Sequence, residues 1–166
     1  MWRERGEKQL ALPQGPELEL AGLPSLAFLK NEAGAWPDSV EPDKSPFTNK
    51  GYKLQPNGLP LFFYSLAGMA VEDYLAPSPQ QEGLTRQLTL TFQPGGGQAY
   101  LLLASGHDIE KLPNGAYAVD DKSYYLEAVS GGSGPPILRS SQGKTQLLLP
   151  VRGQSPKSTI SYSIIW

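Results

Sequence analysis

Strict alternation of apolar and polar side chains is the feature that most limits what this chain can become. From Leu84 to Phe92, Leu84, Leu88, Leu90 and Phe92 fall on one face, and Thr85, Gln87, Thr89 and Thr91 on the other. Ser158 to Trp166 repeats the pattern, with Ile160, Tyr162, Ile164 and Trp166 opposite Ser161 and Ser163. A period of two residues belongs to a strand with one face in a core and the other in water. Helices have little room beside it. The 166 residues include 18 glycines and 16 prolines, and no long stretch sustains a period of 3.6. Only Glu4 to Leu12 is read as a place for one or two helical turns.

Shorter strands are predicted between these two. Glu17–Leu20, Leu26–Leu29, Ile109–Leu112, Ala116–Val119, Ser123–Val129, Ile137–Arg139 and Thr145–Val151 are candidates. Pro60–Leu66 and Ala70–Tyr74 would pair across Gly68. Gln98–Ala104 is apolar on both faces through Tyr100-Leu101-Leu102-Leu103, as a central strand covered twice would be. Pro56-Asn57-Gly58 and Pro113-Asn114-Gly115 supply hairpin turns. The expectation is an all-β fold with little or no helix: an antiparallel β-sandwich of about 11–13 strands. Its core would draw on Leu88, Leu90, Phe92, Leu101, Leu103, Tyr117, Leu126, Leu147, Leu149, Ile160, Tyr162 and Ile164.

A chain of 166 residues is read as one domain, large enough to fold without crosslinks. Within it, 1–32 would supply N-terminal strands, 33–50 a long extended connection wrapping the sheets, and 51–166 the main body. The connection carries Trp36-Pro37, Glu41-Pro42 and Ser45-Pro46 and few aliphatics.

Composition excludes several classes of function. A net charge of −2 gives no field to hold nucleic acid. With no cysteine, the chain has no disulfide, thiolate zinc site, iron–sulfur cluster or c-type haem attachment of its own. The first residues are charged with no apolar stretch after them, so they are not read as a signal peptide, and no run is long enough for membrane insertion. Gly95-Gly96-Gly97 lacks the Lys-Ser/Thr and helix of a phosphate loop. No cofactor is expected.

The single imidazole, His107, lies in Ser105-Gly106-His107-Asp108. Neighbours on an extended chain point to opposite sides, so this is read as a solvated turn rather than a triad. Carboxylates at Glu72-Asp73 and Asp120-Asp121, with Asp38, Glu41 and Asp43, could supply the pair a glycosidase needs. Asp120 and Asp121 are also weak calcium candidates, lacking the glycine of a calcium loop. Trp36, Tyr124 and Tyr125 are candidate stacking platforms for a sugar, although aromatic rings in sandwiches more often fill the core, and Trp36 beside Pro37 could instead clamp the long connection onto the sheet.

Several segments taken in order resemble a known family. They are Phe47-Thr48-Asn49-Lys50-Gly51-Tyr52-Lys53-Leu54, Asn57-Gly58-Leu59-Pro60-Leu61-Phe62-Phe63-Tyr64, Val71-Glu72-Asp73 and Gly83-Leu84-Thr85-Arg86-Gln87-Leu88-Thr89-Leu90. Leu23 to Leu29, Trp36-Pro37, Tyr117 to Asp121 and Ile160-Ser161-Tyr162 agree with it. The set is similar to a β-rich domain of unassigned role in large exported bacterial proteins that combine sugar-dehydrogenase-like propellers with c-type cytochrome domains. The resemblance implies a periplasmic or extracellular setting beside a haem-containing or dehydrogenase domain, and it carries no catalytic residues. Two classes of function follow. One is a non-catalytic accessory module that docks on partner domains or binds carbohydrate. The other is a small glycoside-active enzyme with a carboxylate pair.

Overall fold

The computed structural model describes residues 18–39, 46–79, 82–95, 97–152 and 155–166. The helical turns expected over Glu4–Leu12, and Glu17, lie outside them. The described residues contain no helix. Among the described residues twelve strands run in chain order: β1 (Leu26–Phe28), β2 (Phe47–Leu54), β3 (Pro60–Leu66), β4 (Met69–Pro77), β5 (Gly83–Thr91), β6 (Ala99–Gly106), β7 (Ile109–Lys111), β8 (Tyr117–Val119), β9 (Tyr124–Ser130), β10 (Ile137–Ser141), β11 (Lys144–Pro150) and β12 (Lys157–Ile165). They form a four-stranded sheet, β1-β6-β11-β10, and an eight-stranded sheet, β2-β3-β4-β5-β12-β9-β8-β7. All pairings are antiparallel. The protein is an all-β sandwich.

Alternation decides which side chains meet. All the core residues named from the sequence are buried in the main cluster, joined by Met69, Val71, Val119 and Val151. A second buried cluster lies on the other face of the small sheet: Ala27, Trp36, Tyr100, Leu102 and Leu148, with Leu23, Leu29 and Ile137 against it. Strand β6 is therefore buried along its whole length. Its apolar residues on both faces need cover from two directions, and the segment around Trp36 provides the second layer.

The two Pro-Asn-Gly turns are built alike. Asn57 Oδ1 accepts from Leu59 N and Asn114 Oδ1 from Ala116 N, while Gly58 and Gly115 take φ of 80° and 88°. Only the glycines occupy the left-handed region; each asparagine acts through its side chain.

Two expectations are corrected. Leu18 to Leu20 form no strand; Leu18 packs against the core instead. The connection expected over 33–50 ends earlier, because β2 begins at Phe47; of the rest, 40–45 lie outside the described residues. Strand β2 escapes alternation because it is an edge strand, mostly exposed, and bulged between Asn49 and Tyr52.

Candidate functional site

Direct partners across strands share a face, so register places the outer side chains of the large sheet. Leu61, Tyr74, Gln87 and Ser161 form one row across β3, β4, β5 and β12. Phe63, Glu72, Thr89 and Thr159 form the next. The β2–β3 turn borders this surface, with Asn57 Nδ2 donating to Tyr74 Oη at 2.7 Å. The result is an open cleft of about 440 Å³, floored by Leu61, Glu72, Tyr74, Gln87 and Thr89 and walled by Gln55, Pro56 and Asn57. Thr85 Oγ1 and Ser163 Oγ, 3.3 Å apart, continue the polar surface beyond it.

Glu72 and Asp73 point to opposite faces. Glu72 is exposed in the cleft and makes no hydrogen bond or ion pair among the described residues. Asp73 faces inward and is bound twice by Arg86, Nε to Oδ1 at 2.9 Å and Nη2 to Oδ2 at 2.5 Å. Tyr64 Oη also donates to Asp73 Oδ2, at 3.0 Å, and Arg86 Nη1 donates to Tyr162 Oη at 3.1 Å. Burial and the Asp73 charge push the Tyr64 phenol well above its ordinary range. Burial by itself opposes the Arg86 charge most strongly, but its hydrogen bonds to Asp73, together with the charges of Tyr162, Asp73 and Tyr64, hold the guanidinium above its usual value. A buried pair satisfied in this way fixes how β4 and β5 sit in the core; it offers no free acid.

The aromatic residues proposed from the sequence are dispersed. Trp36 is 2% exposed, and its Nε1 donates to the Pro24 carbonyl at 2.8 Å. Tyr124 is buried on the inner face, its phenol pushed up to about 12 by burial and then by Asp120 and Tyr162. Neither ring presents a face to solvent. Tyr125 is half-buried on the outer face, paired with Ile165 and Ala118. It lies three strands from Tyr74 and four residues along, on the order of 20 Å away by strand spacing and rise.

The acids near His107 hold a corner together. Asp120 Oδ1 accepts from His107 N at 2.6 Å and from Asp108 N at 3.2 Å. Asp120, Asp121 and Lys122 follow one another with φ of 47°, 52° and 66°, a run disfavoured for side-chain-bearing residues. Ser123 Oγ donates to the Asp120 carbonyl at 2.6 Å across that turn. The Asp120 carboxylate is thus occupied by backbone amides. No group of three or more His, Cys, Asp or Glu among the described residues is placed to hold a metal ion. His107 is exposed and its imidazole makes no hydrogen bond among the described residues, while Ser105 is buried. Asp38 is exposed; Glu41 and Asp43 lie outside the described residues.

A larger cleft of about 660 Å³ lies at the edge of the sandwich between Phe28, Trp36 and Leu66. Its lining is mainly apolar, with Asp38, Ser39 and Gln142 as its polar side chains among the described residues.

Sequence reasoning did not find Tyr74, Gln87 and Thr89 as a site. The polar face of β5 was visible in its alternation. What was missing was the register that sets Tyr74 beside Gln87, and the approach of Asn57 to the tyrosine.

No protein-family model matches the chain, and neither the curated proteins nor the solved structures show a significant similarity to it.

Proposed function

We propose that this protein is a non-catalytic carbohydrate-binding sandwich, an accessory module of a larger exported oxidoreductase system, and that it holds a glycan in the cleft beside Tyr74. The observation that carries this reading is the cleft's lining. A tyrosine and a leucine sit among amide, hydroxyl and carboxylate groups on a sheet face that the described residues leave uncovered. A pyranose ring presents apolar C–H groups on its faces and hydroxyls around its rim. Mixed apolar surface with a few placed polar groups is the chemistry that binds such a solute. The carboxylates support a binding role over hydrolysis: Asp73 is engaged by Arg86 on the inner face, which leaves Glu72 as the one carboxylate lining the cleft among the described residues. The exported setting and the neighbouring haem or dehydrogenase domain rest on the motif resemblance.

A second reading, docking on a partner domain, is favoured by a different surface. Tyr52, Leu54 and Phe62 are exposed near the edge of the large sheet, with the Tyr52 and Phe62 rings 5.9 Å apart. Isolated exposed apolar residues are ordinary, but three side by side mark a contact surface.

Affinity electrophoresis through gels containing neutral polysaccharides separates the two readings. Retention of the parent protein, reduced at least several-fold by Tyr74→Ala and little by Tyr125→Ala, is the expected result. Unretarded migration through every glycan would remove the carbohydrate reading and leave the docking surface.

A further inference from the structure

We infer that the Tyr74 cleft selects glycans by charge, taking amine-bearing sugars ahead of neutral ones and rejecting uronates. The inference rests on the carbohydrate reading and adds the chemical class of ligand. Among the described residues, Glu72 is the only charged side chain lining the cleft, and no base pairs with it. It stands next to Thr89 in its row and two residues from Tyr74 on its own strand. A sugar lying against Tyr74 therefore brings its rim substituents towards an unpaired carboxylate.

Among the described residues, the cations near this face stand two strands away: exposed Lys50 lies in the β2 bulge opposite Phe63, in the row of Glu72 and about 10 Å from it by strand spacing. Lys53 pairs with Leu61 at the end of one row, and Lys157 pairs with Thr91 in another. Each is two strands and two residues from Glu72, about 12 Å by strand spacing, beyond the screening length at physiological salt. An ammonium group on the ligand gains a charge-assisted hydrogen bond to Glu72, whereas a ligand carboxylate meets a like charge with no base lining the cleft among the described residues. Removing the ligand's charge while keeping its ring isolates this effect, and N-acetylation of a glucosamine unit does so.

Calorimetric titration of the full chain with matched oligomers of glucosamine, N-acetylglucosamine, glucose and galacturonic acid tests the idea. The expected result is an affinity for the glucosamine oligomer about tenfold above that for its N-acetylated form, with no measurable binding of the galacturonate. High salt should narrow the ratio, and in Glu72→Gln it should fall to about one. Glu72 is exposed, so this replacement does not threaten folding. Equal affinities in the parent protein, a ratio that persists in Glu72→Gln, or preferential binding of galacturonate would overturn charge selection while leaving the carbohydrate reading in place. Failure of all four oligomers to bind would remove the carbohydrate reading, and charge selection with it.

Discussion

The two sheets treat their outer faces in opposite ways. The small sheet carries Tyr100, Leu102 and Leu148 outward, and the chain covers them with Trp36, Leu23 and Leu29. The large sheet carries threonine, serine, glutamine and a glutamate outward across β4, β5 and β12, and none of the described residues closes the cleft there. Apolar area left in water costs roughly 25 cal/mol per Å², so the small sheet needs its cover. Hydroxyls and amides are content in water, so the large sheet does not. Recognition chemistry stays available on the face that folding has no reason to close.

The sharpest way to break this contrast is to strip the cover. Trp36→Ala should destabilise the fold by about 3–5 kcal/mol, through lost burial and the cavity left against Tyr100 and Leu148. Chemical denaturation followed by fluorescence or circular dichroism reads the change. Glycan retention per folded molecule should hold. A denaturation midpoint close to the parent's would show that the Trp36 layer is not what closes the small sheet.

How far the sequence carried this contrast differs between the layers. The inner core was legible residue by residue, because alternation in β5 and β12 assigns a face and the apolar run of β6 announces burial on both sides. The identity of the second cover was not. Trp36 beside Pro37 could be read as a clamp on a sheet, but its stretch has no periodicity, and only the fold shows that its ring belongs to Tyr100 and Leu148. The buried ion pair left a trace that is easy to pass over. Arg86 occupies an inward slot between Leu84 and Leu88, and Asp73 follows Val71 on the inward face of β4. Charges in apolar slots ask for each other, but which charge finds which depends on the β4–β5 register, a long-range property. The cleft was hidden for the same reason: its parts lie on three strands and a turn.

A middle-sized effect comes from the residue that ties the cover down. Arg139 on β10 donates through Nη1 to the carbonyls of Glu32 at 2.5 Å and Gly34 at 2.6 Å. It also donates through Nε and Nη2 to Gln146 Oε1, at 3.0 and 2.7 Å. Burial lowers its pKa, with the nearby Tyr100 acting the other way. Arg139→Ala removes the fork and strands the Gln146 amide, which is 2% exposed. The expected loss is about 2 kcal/mol in the same denaturation experiment. Arg139→Lys should recover only part of it, because an ammonium cannot reach both carbonyls and the amide from one planar group. Full recovery by lysine would mean that charge, not the fork, holds the segment.

The smallest effect on stability is expected where the effect on binding is large, on the bare face itself. Thr89→Val keeps the volume and branching that suit a strand and removes one hydroxyl, while Gln87→Met keeps the length and removes the amide. Both side chains point away from the core, and neither makes a side-chain hydrogen bond among the described residues. Each replacement should therefore leave the denaturation midpoint within about 0.5 kcal/mol of the parent. Retention on a neutral glycan gel should nonetheless drop by a few-fold for each, since the lost group is one a bound sugar would use. Stability and binding then separate cleanly on the large sheet, whereas on the small sheet Trp36→Ala lowers stability alone. A loss above about 1 kcal/mol from either change would show that the hydroxyls and amides of this face hold the sheet together, and the contrast between the two faces would fail.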